Sequence, residues 1–150
     1  MKVLIVEDTD VKLEQLISFF TANYNADITQ AKSFKNGSSE IKNGEFDIII
    51  LDMSMPTYDI SEGDRGGGLR HFAGRDLLSK ISRKGNTPVI VITRFDVLGP
   101  EDNKISLAEY DKRLTKEFSN NYRGYVFYDE ASTSIWMNRL KNLIGKSGVK

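Results

Sequence analysis

The sequence predicts a doubly wound α/β fold, with one five-stranded parallel sheet between helices on both faces. Short aliphatic runs recur along the chain, stretches with helical spacing separate them, and several runs stop at a carboxylate or a hydroxyl. Parallel strands need crossovers, so strand and helix in alternation imply a parallel sheet. Strands buried on both faces read as continuous apolar runs rather than as alternation.

Val3 to Val6 is such a run, and Glu7-Asp8 stands at its carboxyl end. From Asp10 the spacing turns helical, with Val11, Leu13, Leu16, Ile17 and Phe20 as the apolar face and an end near Asn23. Asp27 to Ala31 is a second strand, followed by a short helix from Phe34 to Ile41 stopped by Asn43-Gly44. Phe46 to Leu51 is the strongest strand and runs directly into Asp52. Residues 57–74 hold Gly63, Gly66, Gly67 and Gly68 and read as an inserted loop or flap, after which Leu77, Leu78 and Ile81 mark a helix. Pro88 to Ile92 is the fourth strand and ends at Thr93. Beyond Gly99-Pro100, the spacing of Leu107, Tyr110, Leu114, Phe118 and Tyr122 predicts one long amphipathic helix, with Pro100, Glu101 and Asp102 in its first turn. Tyr125 to Tyr128 is the fifth strand. The last helix carries Ile135, Trp136, Leu140, Leu143 and Ile144, with Trp136 packing helix to sheet.

A chain of 150 residues with 39% hydrophobic content can bury one core unaided, so a single domain over 1–145 with a tail at 146–150 and no output domain is expected. The absence of cysteine excludes disulfides, thiolate metal sites and cysteine nucleophiles. Zero formal net charge without a basic run gives no footprint for nucleic acid or an anionic membrane. The first apolar run is too short for a signal peptide and no run could span a bilayer, so a cytoplasmic protein is expected.

In a doubly wound sheet, ligands collect at the carboxyl ends of the strands. Glu7, Asp8, Asp52 and Thr93 all stand there. Three gathered carboxylates repel one another unless a cation neutralises them, and oxygen-only ligands favour Mg²⁺. Asp52 is then placed to be a nucleophile toward phosphorus, with Thr93 as a hydrogen-bond donor to a phosphoryl oxygen. The plainer readings are a polar turn or helix cap for Glu7-Asp8 and a strand-end hydroxyl for Thr93.

Val-Leu-Ile-Val-Glu-Asp, Asp-Ile-Ile-Ile-Leu-Asp-Met-Ser-Met-Pro and Pro-Val-Ile-Val-Ile-Thr together resemble the core motifs of bacterial two-component response-regulator receiver domains, the CheY-like group with a flavodoxin-like three-layer (βα)5 sandwich. The resemblance implies that Glu7, Asp8, Asp52 and the Ser54 carbonyl hold Mg²⁺, that Asp52 is the phosphorylation site, that Thr93 is the switch hydroxyl and that Tyr125 is the switch aromatic. It implies a histidine kinase or phosphotransfer protein as partner, and signalling by protein contact or action as a phosphate sink. No enzymatic activity is expected beyond phosphorylation and dephosphorylation of Asp52 itself.

Three features depart from the family. The lysine at the end of the fifth strand is absent, with Tyr128 in its place, or Asp129 if the register slides by one. Lys112, Lys116, Arg94 and Arg123, or Arg65, Arg70 and His71 of the insertion, are the cations weighed as substitutes. The other departures are the insertion at 57–74 and the enlarged segment 95–123, which alters the usual signalling face. Two rival readings stay open: a pseudo-receiver acting as a phosphorylation-independent interaction module, and a haloacid-dehalogenase-type phosphohydrolase with Asp8-Thr9-Asp10 as its motif.

Overall fold

Three apolar runs, Val3–Val6, Ile48–Leu51 and Val89–Thr93, are buried at every residue, as central strands covered on both faces must be. The structure, a computed structural model, describes residues 1–60 and 66–149. In chain order, β1 (Lys2–Val6), α1 (Asp10–Asn23), β2 (Asp27–Ala31), α2 (Phe34–Asn43) and β3 (Ile48–Leu51) lead to two small strands, β4 (Met55–Pro56) and β5 (Leu69–Arg70). Next come α3 (Ala73–Lys84), β6 (Val89–Thr93), small strands β7 (Val97–Leu98) and β8 (Ile105–Ser106), α4 (Leu107–Glu117), β9 (Tyr122–Phe127) and α5 (Thr133–Lys146). The main sheet is parallel in the order β2-β1-β3-β6-β9.

Side chains alternate across this sheet. Leu4, Val6, Ile49, Leu51, Val89 and Val91 meet α2, α3 and α4 on one face. Val3, Ile5, Ile48, Ile50, Ile90 and Ile92 meet α1 and α5 on the other, where Trp136 packs against Phe19 and Tyr128. The order reverses between β1 and β3, so the binding crevice of such a sheet opens at their carboxyl ends.

The edge strand β9 contains an irregularity with a large consequence. Val89 pairs with Tyr122 but Val91 with Tyr125, so β9 carries one extra residue over that stretch. Gly124 absorbs it at φ 127°, a conformation that favours glycine. Tyr122 and Tyr125 therefore both face the α3–α4 side, while Val126 and Tyr128 turn toward α1 and α5. Without the bulge, parity would put Tyr128 on the opposite face.

The fold class agrees with the sequence reading, and the differences are local. The strong strand starts at Ile48 rather than Phe46, and the fifth sheet strand spans Tyr122–Phe127 rather than 125–128. Residues 57–74 are not all loop. Thr57 and Tyr58 donate N–H groups to the carbonyls of Gly68 and Gly66, extending the β4–β5 ladder into an antiparallel hairpin, and α3 already begins at Ala73. Gly63 and Arg65 lie outside the described residues. The long helix expected after Pro100 is instead the β7–β8 hairpin followed by an 11-residue α4. Asn103 N–H closes a turn onto the Pro100 carbonyl, and Ser106, not Pro100, starts the helix by accepting from Glu109 N–H. Leu107, Tyr110 and Leu114 share one buried face of α4, but the spacing to Tyr122 is coincidental. In α1 and α5, Val11 and Ile135 are exposed rather than part of the apolar face. Among the described residues, no helix is long and apolar enough to cross a membrane.

Candidate functional site

The crevice is built from strand ends. β1 delivers Glu7, 1% exposed, whose backbone N–H donates to the Ala31 carbonyl of β2 at 2.9 Å and whose Oε2 accepts from Thr9 N–H at 2.9 Å. Asp8 follows, half-buried. β3 delivers Asp52, 5% exposed; its N–H donates to the Val6 carbonyl at 3.1 Å, and its Oδ1 accepts from Met53 N–H at 2.7 Å. One carboxylate oxygen from each of Glu7, Asp8 and Asp52 lies within 4.8 Å of the others. β6 brings Thr93, fully buried, with its hydroxyl oxygen accepting from Phe95 N–H at 3.3 Å. In the first turn of α3, Gly74 donates its N–H to the Met53 carbonyl, and a Cβ there would stand 2.6 Å from the Asp52 carbonyl oxygen. Only glycine lets the helix press this closely on the Asp52 backbone.

Burial pushes the Asp52 carboxyl up to about 6, with the Glu7 charge adding to the rise and the Lys12 charge opposing it. Burial also raises Asp8, helped by the charge of Asp52. A set of clustered carboxylates held against their preference for ionising has the electrostatic character of a cation site. Glu7 Oε1 is buried, and its charge partner is an ammonium 2.6 Å away rather than water. All-oxygen donors of this kind suit Mg²⁺.

The sequence reading missed the cation in this crevice. Lys12, 1% exposed, reaches in from the first turn of α1, with Nζ 2.6 Å from Glu7 Oε1 and 3.2 Å from Asp52 Oδ2 while donating to the Ile92 carbonyl at 2.7 Å. A signal was available: Lys12, Leu16 and Phe19 fall at i, i+4 and i+7, the buried stripe of α1, whereas Val11 lies off it. A lysine in the first turn also runs against the helix dipole.

Among the described residues, none of the other candidate cations forms an ion pair with Glu7, Asp8 or Asp52. Lys112 and Lys116 are exposed on α4, Arg94 donates to the Thr9 hydroxyl, and Arg123 donates to the Asn120 carbonyl. Arg70 pairs with Asp76 and stacks on Phe34, His71 is half-buried in the hairpin segment, and Arg65 lies outside the described residues. Tyr128, one of the two residues expected where the family has its lysine, is buried; its hydroxyl donates to Gln15 Oε1 at 2.7 Å and its ring centre lies 5.7 Å from Lys12 Nζ. Tyr125 is half-buried against the α3–α4 cluster. Ser54, half-buried, lies two residues past Asp52. Asp10 does not join the carboxylates: it pairs on the surface with Lys32, which removes the second acidic group from the Asp8-Thr9-Asp10 reading.

A family model, the response regulator receiver domain, matches residues 3–122. The chain belongs to this receiver family. Among curated proteins, the receiver is 35% identical over 144 residues to the Detocs response regulatory protein DtcB of Enterobacter cloacae, covering 93% of this chain and 95% of that one. Among solved structures it is similar to the receiver domain of the Francisella response regulator 1452, at a TM-score of 0.58 and 25% identity over 97% of this chain and 98% of that one. A LuxR-family DNA-binding response regulator from Staphylococcus aureus shares the fold at a TM-score of 0.66 and 18% identity, covering 97% of each chain. The Glu7, Asp8 and Asp52 cluster therefore stands at the carboxyl ends of β1 and β3 in a receiver-family chain.

Proposed function

We propose that this receiver accepts a phosphoryl group on Asp52 from a histidine kinase or a phosphotransfer protein, and passes the signal on by protein contact or drains phosphate from the pathway. The observation that carries the reading is the Asp52 carboxylate itself, buried at the switch point of the sheet and within 4.8 Å of the Glu7 and Asp8 carboxylates. Glu7, Asp8, Asp52 and the Ser54 carbonyl are the groups that would hold Mg²⁺, which offsets charge on a transferring phosphoryl group. Thr93, buried beside them at the end of β6, supplies a hydroxyl for a phosphoryl oxygen, and Tyr125 is the aromatic that would follow it. The receiver domain so proposed spans residues 1–145.

Incubation with Mg²⁺ and phosphoramidate, followed by intact-mass measurement, tests the reading. One added phosphate on the wild type and none on Asp52→Asn is expected. A wild-type mass that never changes would remove it and favour a receiver that works as a constitutive interaction module.

A further inference from the structure

A fully buried ammonium is costly unless several groups satisfy it, and a helix N-terminus is the least favourable end for it. Lys12 is placed there nonetheless, and its three contacts are the carboxyl ends of three adjacent strands: Glu7 after β1, Asp52 after β3 and the Ile92 carbonyl in β6. We propose that Lys12 is the phosphoryl-contacting cation of this receiver, delivered from the first turn of α1 instead of from the end of the fifth sheet strand. The inference rests on Asp52 as the phosphoacceptor.

The surroundings support an exchange of scaffold for the same charge. Tyr128 fills the strand-end position with a ring 5.7 Å from Lys12 Nζ, and its hydroxyl is held by Gln15, three residues beyond Lys12 on the same helix. The bulge at Gly124 is what turns Tyr128 to this face. Lysine and tyrosine thus share one space, with the ammonium reaching it from the helix.

The charge count fits the chemistry. Three carboxylates facing one ammonium leave two net negative charges when all are ionised, which a divalent ion would balance. In the transfer step an Asp52 carboxylate oxygen attacks phosphorus, the O–P bond forming as the P–N bond of a phosphohistidine or phosphoramidate breaks. The donor nitrogen leaves with the bonding pair and its own protons, so Lys12 remains an ammonium throughout. As Asp52 becomes an acyl phosphate, its carboxylate charge offsets that of the departing nitrogen, and the phosphoryl oxygens bring their own negative charge to a position beside the ammonium, which lies 3.2 Å from Oδ2.

The test uses the full chain as wild type, Lys12→Gln and Lys12→Gln/Tyr128→Lys, with phosphate uptake from phosphoramidate followed by mass and Mg²⁺ affinity followed by calorimetry. Lys12→Gln is expected to slow uptake about 10²-fold, the scale of losing one group that stabilises developing charge. The same variant should bind Mg²⁺ several-fold more tightly, because a cation repelling the metal has gone. This opposition of signs would not follow from a structural salt bridge, whose loss weakens both. Tyr128→Lys in the Lys12→Gln background should restore at least a tenth of the wild-type rate. Uptake by Lys12→Gln at the wild-type rate, or loss of Mg²⁺ affinity together with rate, overturns the assignment and leaves Asp52 as acceptor. No uptake by the wild type overturns both. Should Lys12→Gln not fold, the double variant decides: folded and reactive supports the exchange, folded and inert overturns it.

Discussion

The charge on Asp52 is held where water scarcely reaches, and it has a stability cost that varies with pH. The folded-state value is raised from 3.8 to about 6, so between these values the native protein binds more protons than the unfolded chain. Stability from this group therefore falls as pH rises from about 4 to about 6 and stays low above that. In chelator, Asp52→Asn is expected to be more stable than the wild type at pH 8, by on the order of 2 kcal/mol, and to lose that advantage by pH 4. Urea melts at both pH values check it; an advantage that grows on acidification would contradict it. Glu7, Asp8, Asp52 and Thr93 were legible in the sequence because a strand end is marked where an apolar run stops. Lys12 was not, since the run Val11-Lys12-Leu13 admits two helical stripes and the choice depends on partners 40 and 80 residues away.

Among the elements, the central strands were the most legible, because burial on both faces leaves them apolar up to the strand end, where β6 closes on Thr93. The edge and the insertions were less so. A spacing that fits a helix ran on through Phe118 to Tyr122, yet the chain leaves α4 and enters β9, and only the turn between Pro100 and Asn103 and the Ser106 cap set where α4 begins. The bulge in β9 is invisible to periodicity, since one extra residue reverses parity without changing composition. Gly124→Ala is expected to destabilise the fold by about 1–3 kcal/mol: the backbone would hold a strained φ, and the new Cβ would lie 3.2 Å from Leu143. A lower denaturation midpoint with an unchanged m-value is the anticipated readout. An unaffected midpoint would mean that the strand realigns without the bulge and carries Tyr128 away from Gln15.

Across the whole molecule, the three layers bury two clusters that meet only through the sheet, and Lys12 is anchored to three of its five strands. Those anchors lie 5, 40 and 80 residues along the chain from it, so the ammonium has a full set of partners only once β6 has docked beside β3. Loop-closure entropy makes such distant contacts late ones. Lys12→Gln should therefore leave the folding rate nearly unchanged and speed unfolding, a φ-value near zero in a chevron measured in chelator. A slowed folding limb would instead place Lys12 in the nucleus. The clasp at the crevice thus closes after the scaffold has formed, and what it governs is how long an assembled molecule persists rather than how quickly it is made.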